Sequence, residues 1–235
     1  MTLARTLIVV AVAGLAALAL VRGVPAGSMI DVTGDWTFRI TGDFGPFGSE
    51  LTLHCTAPLV QTGDDVSGDF ECGVANGSAT ATLTPQTQGA TIDADVHIDL
   101  SSPFSDVDAH VVGTVAPHGN YMEGTWEAPS EDLEGTWDAT RDVARFLKGD
   151  VNCDGVVNAL DGLTQVLHRA EAEIFQFTGC PGIEEEFASI FGDMNCDDQV
   201  TELDALFILR HAAGLPEPQL VGCAGVGAMI VEAAG

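Results

Sequence analysis

The stretch Gly149-Asp150-Val151-Asn152-Cys153-Asp154 recurs 43 residues later as Gly192-Asp193-Met194-Asn195-Cys196-Asp197. Asp161-Gly162-Leu163 recurs at the same offset as Asp204-Ala205-Leu206. Chance similarity does not keep one register over separate segments, so the pattern indicates a duplicated structural unit. The C-terminal part of this 235-residue chain is therefore predicted to contain two copies of one loop-helix unit.

Each copy opens with oxygen-bearing side chains at positions 1, 3, 5, 9 and 12, which is the spacing of EF-hand calcium loops. Calcium takes six to eight oxygen ligands, and position 7 adds a backbone carbonyl. A metal-free acidic turn that caps a helix is the alternative for a single loop, whereas two loops in register favour two bound calcium ions. The predicted ligands are Asp150, Asn152, Asp154, Val156, Asn158 and Asp161 in the first loop, and Asp193, Asn195, Asp197, Gln199, Thr201 and Asp204 in the second.

The sixth loop position must reverse the chain beneath the ion. Gly155 occupies it in the first copy and Asp198 in the second. Glycine adopts left-handed backbone geometry freely, whereas the same geometry costs a residue with a Cβ roughly 1 kcal/mol. The second loop is therefore predicted to bind calcium more weakly.

Apolar residues recur at three- and four-residue spacing after each loop, which predicts two helices that each bury this apolar face. Gly214 and Pro216 predict the end of the second helix. The residues of the two expected buried faces are Leu160, Leu163, Leu167, Ala170 and Ile174, and then Leu203, Leu206, Phe207 and Ala213.

A twelve-residue calcium loop that ends in Asp, followed by one helix and present twice, resembles a dockerin module. The resemblance covers roughly Lys148 to Pro216. It implies a small all-α, EF-hand-like domain that docks onto a cohesin-like or other cell-surface protein. In dockerins, loop positions 10 and 11 often help to choose the partner; here they are Ala159-Leu160 and Glu202-Leu203, unlike the Ser/Thr pairs common in cellulosomes.

Six cysteines permit 15 disulfide pairings, and the repeat narrows this choice. Each copy has a cysteine at loop position 4 and another 27 residues later, which predicts Cys153–Cys180 and Cys196–Cys223. The remaining Cys55 and Cys72 flank the turn 62–65, so a bridge across a hairpin is expected. Calcium prefers oxygen, so the cysteines are not predicted as ligands.

Residues 30–140 change to short runs of period two, rich in Thr and Val, which indicates a barrel or sandwich of about eight strands. Three Gly-x-Trp motifs, the first at Gly34, weakly resemble the strand motif of lipocalin-like barrels. The inward residues either fill the interior or enclose a small apolar ligand. The predicted strands are Trp36–Thr41, Glu50–Ala57, Val66–Cys72, Ser78–Leu83, Thr91–Leu100, Asp106–Val115, Tyr121–Trp126 and Leu133–Ala139.

Two of these strands carry alternating Asp and His residues and are joined by a turn at residues 101–104. If Leu100 pairs with Ser105, then Asp99 faces Asp106, His97 faces Asp108 and Asp95 faces His110. We interpret these as cross-strand charge pairs, with a metal or acid-base site as the alternative. No catalytic residue is predicted, because the domain offers no nucleophile, oxyanion donors or phosphate loop.

The N-terminus carries Arg5, an apolar run from Ile8 to Val21, and small residues before Ala26, which predicts a cleaved signal peptide at 1–26. The protein is therefore expected to be secreted and to stay extracellular or at the cell surface. A formal charge of −27 repels phosphates and anionic lipids, so neither nucleic acid nor, after signal cleavage, membrane is an expected partner.

The predicted organisation is multidomain: a barrel or sandwich at 28–143, an all-α dockerin-like domain with paired calcium loops at 148–224, and a C-terminal tail at 225–235. The expected function is a secreted, non-catalytic protein whose calcium-binding module docks the β domain to an extracellular partner through protein–protein interaction. The alternative is an accessory or catalytic component of extracellular polysaccharide degradation, associated with a glycoside hydrolase or binding carbohydrate.

Overall fold

A computed structural model describes residues 30–43, 51–73, 75–100, 106–183, 192–216, 218 and 222–233. The expected signal peptide and the turn at 101–104 lie outside these ranges. None of the described helices is long and apolar enough to cross a membrane. Three disulfides join the six cysteines, as is typical of proteins in an oxidising environment.

The N-terminal part is a closed antiparallel barrel in which each strand pairs with its neighbours along the chain. The strand β1 also pairs with β8, which closes the sheet, so the fold is a barrel and not a sandwich. All eight predicted strands are confirmed, most of them extended by a few residues. Their bounds are β1 Gly34–Asp43, β2 Leu51–Thr62, β3 Asp65–Glu71, β4 Ala75–Pro85, β5 Ala90–Leu100, β6 Val107–Val115, β7 Tyr121–Ala128 and β8 Leu133–Arg141.

The inward positions of the barrel are packed with apolar side chains. In β2 the buried residues Cys55, Ala57 and Leu59 alternate with exposed ones, as the two-residue period of a strand requires. Trp36 and Met122 are fully buried, and they belong to one continuous core cluster with residues of all eight strands packed in or against it. In the described part of the barrel, the inward positions are therefore taken by packed side chains.

Two Gly-x-Trp motifs pack against each other across β7 and β8. Gly124 lies opposite Trp137, and Trp126 lies opposite Gly135. A Cβ on Gly135 would lie 2.5 Å from Trp126 Nε1, and a Cβ on Gly124 would lie 2.9 Å from Trp137 Nε1. The two-residue spacing thus places each indole over the glycine of the other strand, where no other residue leaves room.

The C-terminal part consists of two helices and a two-stranded sheet. The helices are α1 Ala159–Arg169 and α2 Glu202–Ala212. The strand β9 Val143–Leu147 pairs antiparallel with β10 Met229–Ala233. The latter strand lies within the expected C-terminal tail, so it closes the duplicated unit onto the residues that precede it.

The rotation of the helices differs from the expectation. In α1 the buried residues are Asp161, Gly162 and Gln165, whereas Leu160 and Leu163 are 57% and 49% exposed. Loop position 12 is also the third residue of the helix, so turning Asp161 toward its loop fixes which face points inward. The prediction that Leu160 and Leu163 belong to the buried face was wrong for this reason, whereas Leu167 is half-buried and Ile174 packs against the core. The second helix repeats the arrangement, with Asp204, Ala205 and Ile208 buried and Leu203 and Leu206 exposed.

The turn between β6 and β7 packs against the duplicated unit. His118 Nε2 lies 2.9 Å from the carbonyl oxygen of Thr178. The side chain of Asn120 bonds the backbone of Arg145 twice, donating at 2.6 Å and accepting at 2.9 Å. A Cβ on Gly155 would lie 2.9 Å from the carbonyl oxygen of Pro117, so the first loop lies directly against the barrel.

Candidate metal centre

The first loop is held by carboxylates that accept hydrogen bonds from its own backbone. Asp150 accepts from the amides of Asp154 at 3.0 Å and Gly155 at 2.9 Å. The oxygen of Asn152 accepts from the amide of Asp154 at 3.0 Å, and Asp154 accepts from Val156 at 3.0 Å. These bonds wrap the chain around the side-chain oxygens, which gives the loop its shape without a ligand.

The second loop repeats this set of bonds at equivalent positions. Asp193 accepts from the amides of Asp197 at 3.3 Å and Asp198 at 2.8 Å. Asp197 in turn accepts from Asn195 Nδ2 at 2.9 Å and from the amide of Gln199 at 3.0 Å. The repeated sequence therefore produces a repeated geometry.

The aspartate at position 12 ties each loop to its helix. Asp161 accepts from the amide of Asn152 at 3.2 Å and from that of Asn158, the N-cap of α1, at 2.8 Å. Asp204 accepts from the amide of Thr201, the N-cap of α2, at 2.8 Å, and the Thr201 hydroxyl also donates to it at 3.0 Å. Both N-caps complete capping boxes. The twelfth residue thus serves the loop and the helix start together.

Two carboxylates of the first loop are buried close to a third. Burial, together with the charges of Asp161 and Asp154, raises the pKa of Asp150 to about 7. Burial likewise raises the pKa of Asp161 to about 7, against the hydrogen bonds that Asp161 accepts. In the absence of a cation these groups therefore hold their protons far above the ordinary range of an aspartate.

The residues present fit a hard divalent cation. Asp150, Asp154 and Asp161 each offer a carboxylate oxygen, and these oxygens lie within 4.8 Å of one another. The carbonyl oxygen of Val156 accepts from Asn158 Nδ2 at 3.0 Å, so it faces the loop side chains rather than a backbone partner. A bound cation would neutralise the clustered carboxylates. Carboxylate and carbonyl oxygens are the ligands that calcium takes in proteins.

The backbone at position 6 has the expected left-handed geometry in both loops. The φ angle is +82° at Gly155 and +63° at Asp198. Position 4 is also left-handed, with φ +58° at Cys153 and +57° at Cys196, which the sequence did not indicate. The second loop therefore carries two strained residues with a Cβ where the first carries one.

The three disulfides are Cys55–Cys72, Cys153–Cys180 and Cys196–Cys223, as predicted. The sequence predicts no role for Lys148. The side chain is buried, with Nζ 3.1 Å from Cys196 Sγ and 3.2 Å from Cys223 Sγ. A lysine that precedes the first loop by two residues thus contacts the disulfide of the second copy. The sequence offered no signal for this contact, because it depends on how the two copies pack.

The Asp and His residues of β5 and β6 lie on one exposed face in the predicted register. Asp95 is opposite His110 and His97 is opposite Asp108, with His97 Nδ1 2.7 Å from Asp108 Oδ1. This hydrogen bond is the main cause that raises the pKa of His97, with the charges of Asp108, Asp99 and Asp106 adding to it. The geometry agrees with cross-strand charge pairs on a solvated face.

When the chain is compared with known proteins, no protein-family model matches it and no curated protein is significantly similar to it.

Proposed function

We propose that this is a secreted, non-catalytic protein whose C-terminal dockerin-like module binds two calcium ions and docks the barrel onto an extracellular or cell-surface protein. The observation that carries the proposal is an exposed apolar face that both helices repeat. On α1 and α2 the same three positions of each copy are apolar and between 39% and 57% exposed. These residues are Leu160, Leu163 and Val166 on α1, and Leu203, Leu206 and Leu209 on α2.

This surface, which we call the leucine face, groups six exposed apolar residues on two helices of a chain with a charge of −27. Contiguous exposed apolar residues on a soluble domain mark interaction sites. The two helices pack on each other, since a Cβ on Gly162 would lie 2.8 Å from Leu209 Cγ, which places Leu209 of this face directly against α1. A cohesin-like protein with a matching apolar surface is the partner that this face fits.

Calcium connects the loops to this face. Asp161 and Asp204 each belong to a loop and to the first turn of a helix. Cation binding at the loops would therefore fix the starts of both helices and hold the leucine face in one arrangement. Docking is expected to depend on calcium for this reason.

The test is binding of the whole protein to a panel of cohesin domains and to intact cells, measured with calcium and with chelator. We expect binding only with calcium, and a loss of at least tenfold in affinity for Leu163→Asp and Leu206→Asp, because each places a charge in an apolar contact. Val60→Asp is the matched control, since Val60 is an apolar residue of β2 that is 57% exposed. Equal binding by all three variants would refute the leucine face as the docking surface.

The two calcium sites are expected to be unequal. Left-handed geometry costs Asp198 about 1 kcal/mol relative to Gly155, whereas its carboxylate attracts the cation. Salt screens the electrostatic attraction but does not change the backbone strain. The first loop should therefore bind calcium more tightly than the second at physiological ionic strength, and the difference in affinity should grow with salt concentration. Calorimetry on Asp154→Ala and Asp197→Ala, each leaving one loop intact, measures both affinities. Equal affinities at high salt would contradict the argument.

One observation favours carbohydrate binding as a second function. A shallow, open groove crosses the outer face of the barrel, and its lining includes Arg39, Tyr121, Glu123 and Asp138. Arg39 Nη2 pairs with Asp138 at 2.8 Å, and the Tyr121 hydroxyl donates to Glu123 at 3.0 Å. An aromatic ring beside fixed polar groups suits a sugar surface. A glycan array with the whole protein and with Arg39→Ala tests this function. The whole protein should bind a glycan, and the Arg39→Ala variant should lose that binding.

A further inference from the structure

The two repeat-related disulfides have different surroundings. Cys153 is fully buried, whereas Cys196, its counterpart at loop position 4, is exposed. The Cys55–Cys72 bridge is also buried, with exposed fractions of 2% and 8%. Of the three bridges in the described chain, Cys196–Cys223 is therefore the one that offers a solvent-exposed cysteine to a nucleophile.

The two bridges also differ in the group beside the sulfur atoms. The buried ammonium of Lys148 lies 3.1 Å from Cys196 Sγ and 3.2 Å from Cys223 Sγ. At the equivalent bridge, the neutral amide of Gln176 lies 3.4 Å from Cys180 Sγ. A positive charge thus stands beside one disulfide of the pair and a neutral donor beside the other.

We propose that Cys196–Cys223 is the disulfide that thiol or dithiol reductants open selectively, and that the ammonium of Lys148 assists its opening. The thiolate of the reductant attacks the sulfur of Cys196, the exposed residue of the bridge, a new S–S bond forms, and the electron pair of the broken bond leaves on Cys223. Lys148 lies beside that sulfur and stabilises the thiolate that forms there. A second reductant thiol then releases Cys196, so two thiols are oxidised to one disulfide and the protein gains two cysteine thiols.

The test is timed reduction of the whole protein by glutathione or dithiothreitol in a calcium-containing buffer, with alkylation of released thiols and peptide mapping. We expect Cys196 and Cys223 to be labelled first, at least tenfold faster than the other four cysteines. Lys148→Met should slow their labelling by about tenfold, because the leaving thiolate loses its counter-charge, whereas Lys148→Arg should keep it fast. Gln176→Met is the matched control at the other bridge and should leave both rates unchanged.

Two results would overturn the proposal: Cys153–Cys180 or Cys55–Cys72 opening as fast as Cys196–Cys223, or a Lys148→Met protein that is not slowed. A variant that merely folds poorly is recognised by the direction of the change in reduction rate. Loss of structure exposes all three bridges and speeds their reduction, whereas loss of the ammonium slows the reduction of one.

Opening this bridge frees position 4 of the second loop, so it would loosen that loop and its helix. This consequence rests on the proposed calcium binding, whereas the labelling experiment does not. A failure of selective reduction would leave calcium binding standing, and a failure of calcium binding would leave selective reduction standing.

Discussion

Protein stripped of divalent cations should become less stable as pH rises from about 4 to about 7, and calcium should remove this dependence. The cause is the pair of buried carboxylates, Asp150 and Asp161, whose pKa values are raised from 3.8 to about 7. The folded state then holds protons that the unfolded chain has released, so unfolding becomes easier with increasing pH throughout that window. Each of the two carboxylates contributes a loss on the order of 4 kcal/mol above pH 7.

The measurement is the melting temperature and helical circular dichroism of the whole protein at pH 5 and pH 8, with chelator-treated buffer and with calcium. Calcium should raise both at pH 8, and by much less at pH 5. Asp161→Asn is a useful variant, because it removes one of the two carboxylates and should flatten the pH dependence without calcium. If added calcium changes neither observable at pH 8, the calcium assignment of the loops is wrong.

Gly124→Val should unfold the barrel or destabilise it by about 3 kcal/mol or more. A Cβ at this position would meet the carbonyl oxygen of Val112 and would lie 2.6 Å from Gly113 Cα and 2.9 Å from Trp137 Nε1. Two of these neighbours are backbone atoms of a paired strand, which cannot move aside as a flexible side chain could. Overpacking of a core already costs 1–3 kcal/mol where neighbours can adjust, so this site should lie at or above that range.

Urea unfolding followed by tryptophan fluorescence measures the effect, since Trp126 and Trp137 lie at the substituted site. Thr125→Val is the matched control, because Thr125 is the exposed neighbour on the outer face and should change stability by less than about 0.5 kcal/mol. Similar stabilities for the two variants would show that the glycine is not required by the indole packing.

The barrel was largely predictable from local patterns. Period-two alternation and turn residues depend only on neighbours in sequence, and they placed all eight strands. They also predicted that His97 pairs with Asp108, because the length of one turn sets the register of a whole hairpin. Closure was not predictable in this way, since β1 and β8 are almost a hundred residues apart and their pairing depends on the shape of the complete sheet.

The disulfides were predictable for a different reason. The 43-residue repeat related Cys153–Cys180 to Cys196–Cys223, so the two copies constrained each other. The groups beside those bridges were not predictable from the repeat. Lys148 reaches the bridge of the other copy, so its neighbours depend on how the copies pack and not on its own position in the sequence.

The amino-acid sequence alone determined the strands, the duplicated loops, the left-handed sixth position and the cysteine pairs, because each depends on short-range geometry or on the internal repeat. Only the tertiary structure decided which helix face is buried. Leu160 and Leu163 have the spacing of a core stripe, but burial of Asp161 at the twelfth loop position turns them toward solvent. A periodic pattern gives the relative angle between side chains on a helix, whereas the contact that anchors one of them sets the direction in which all of them point.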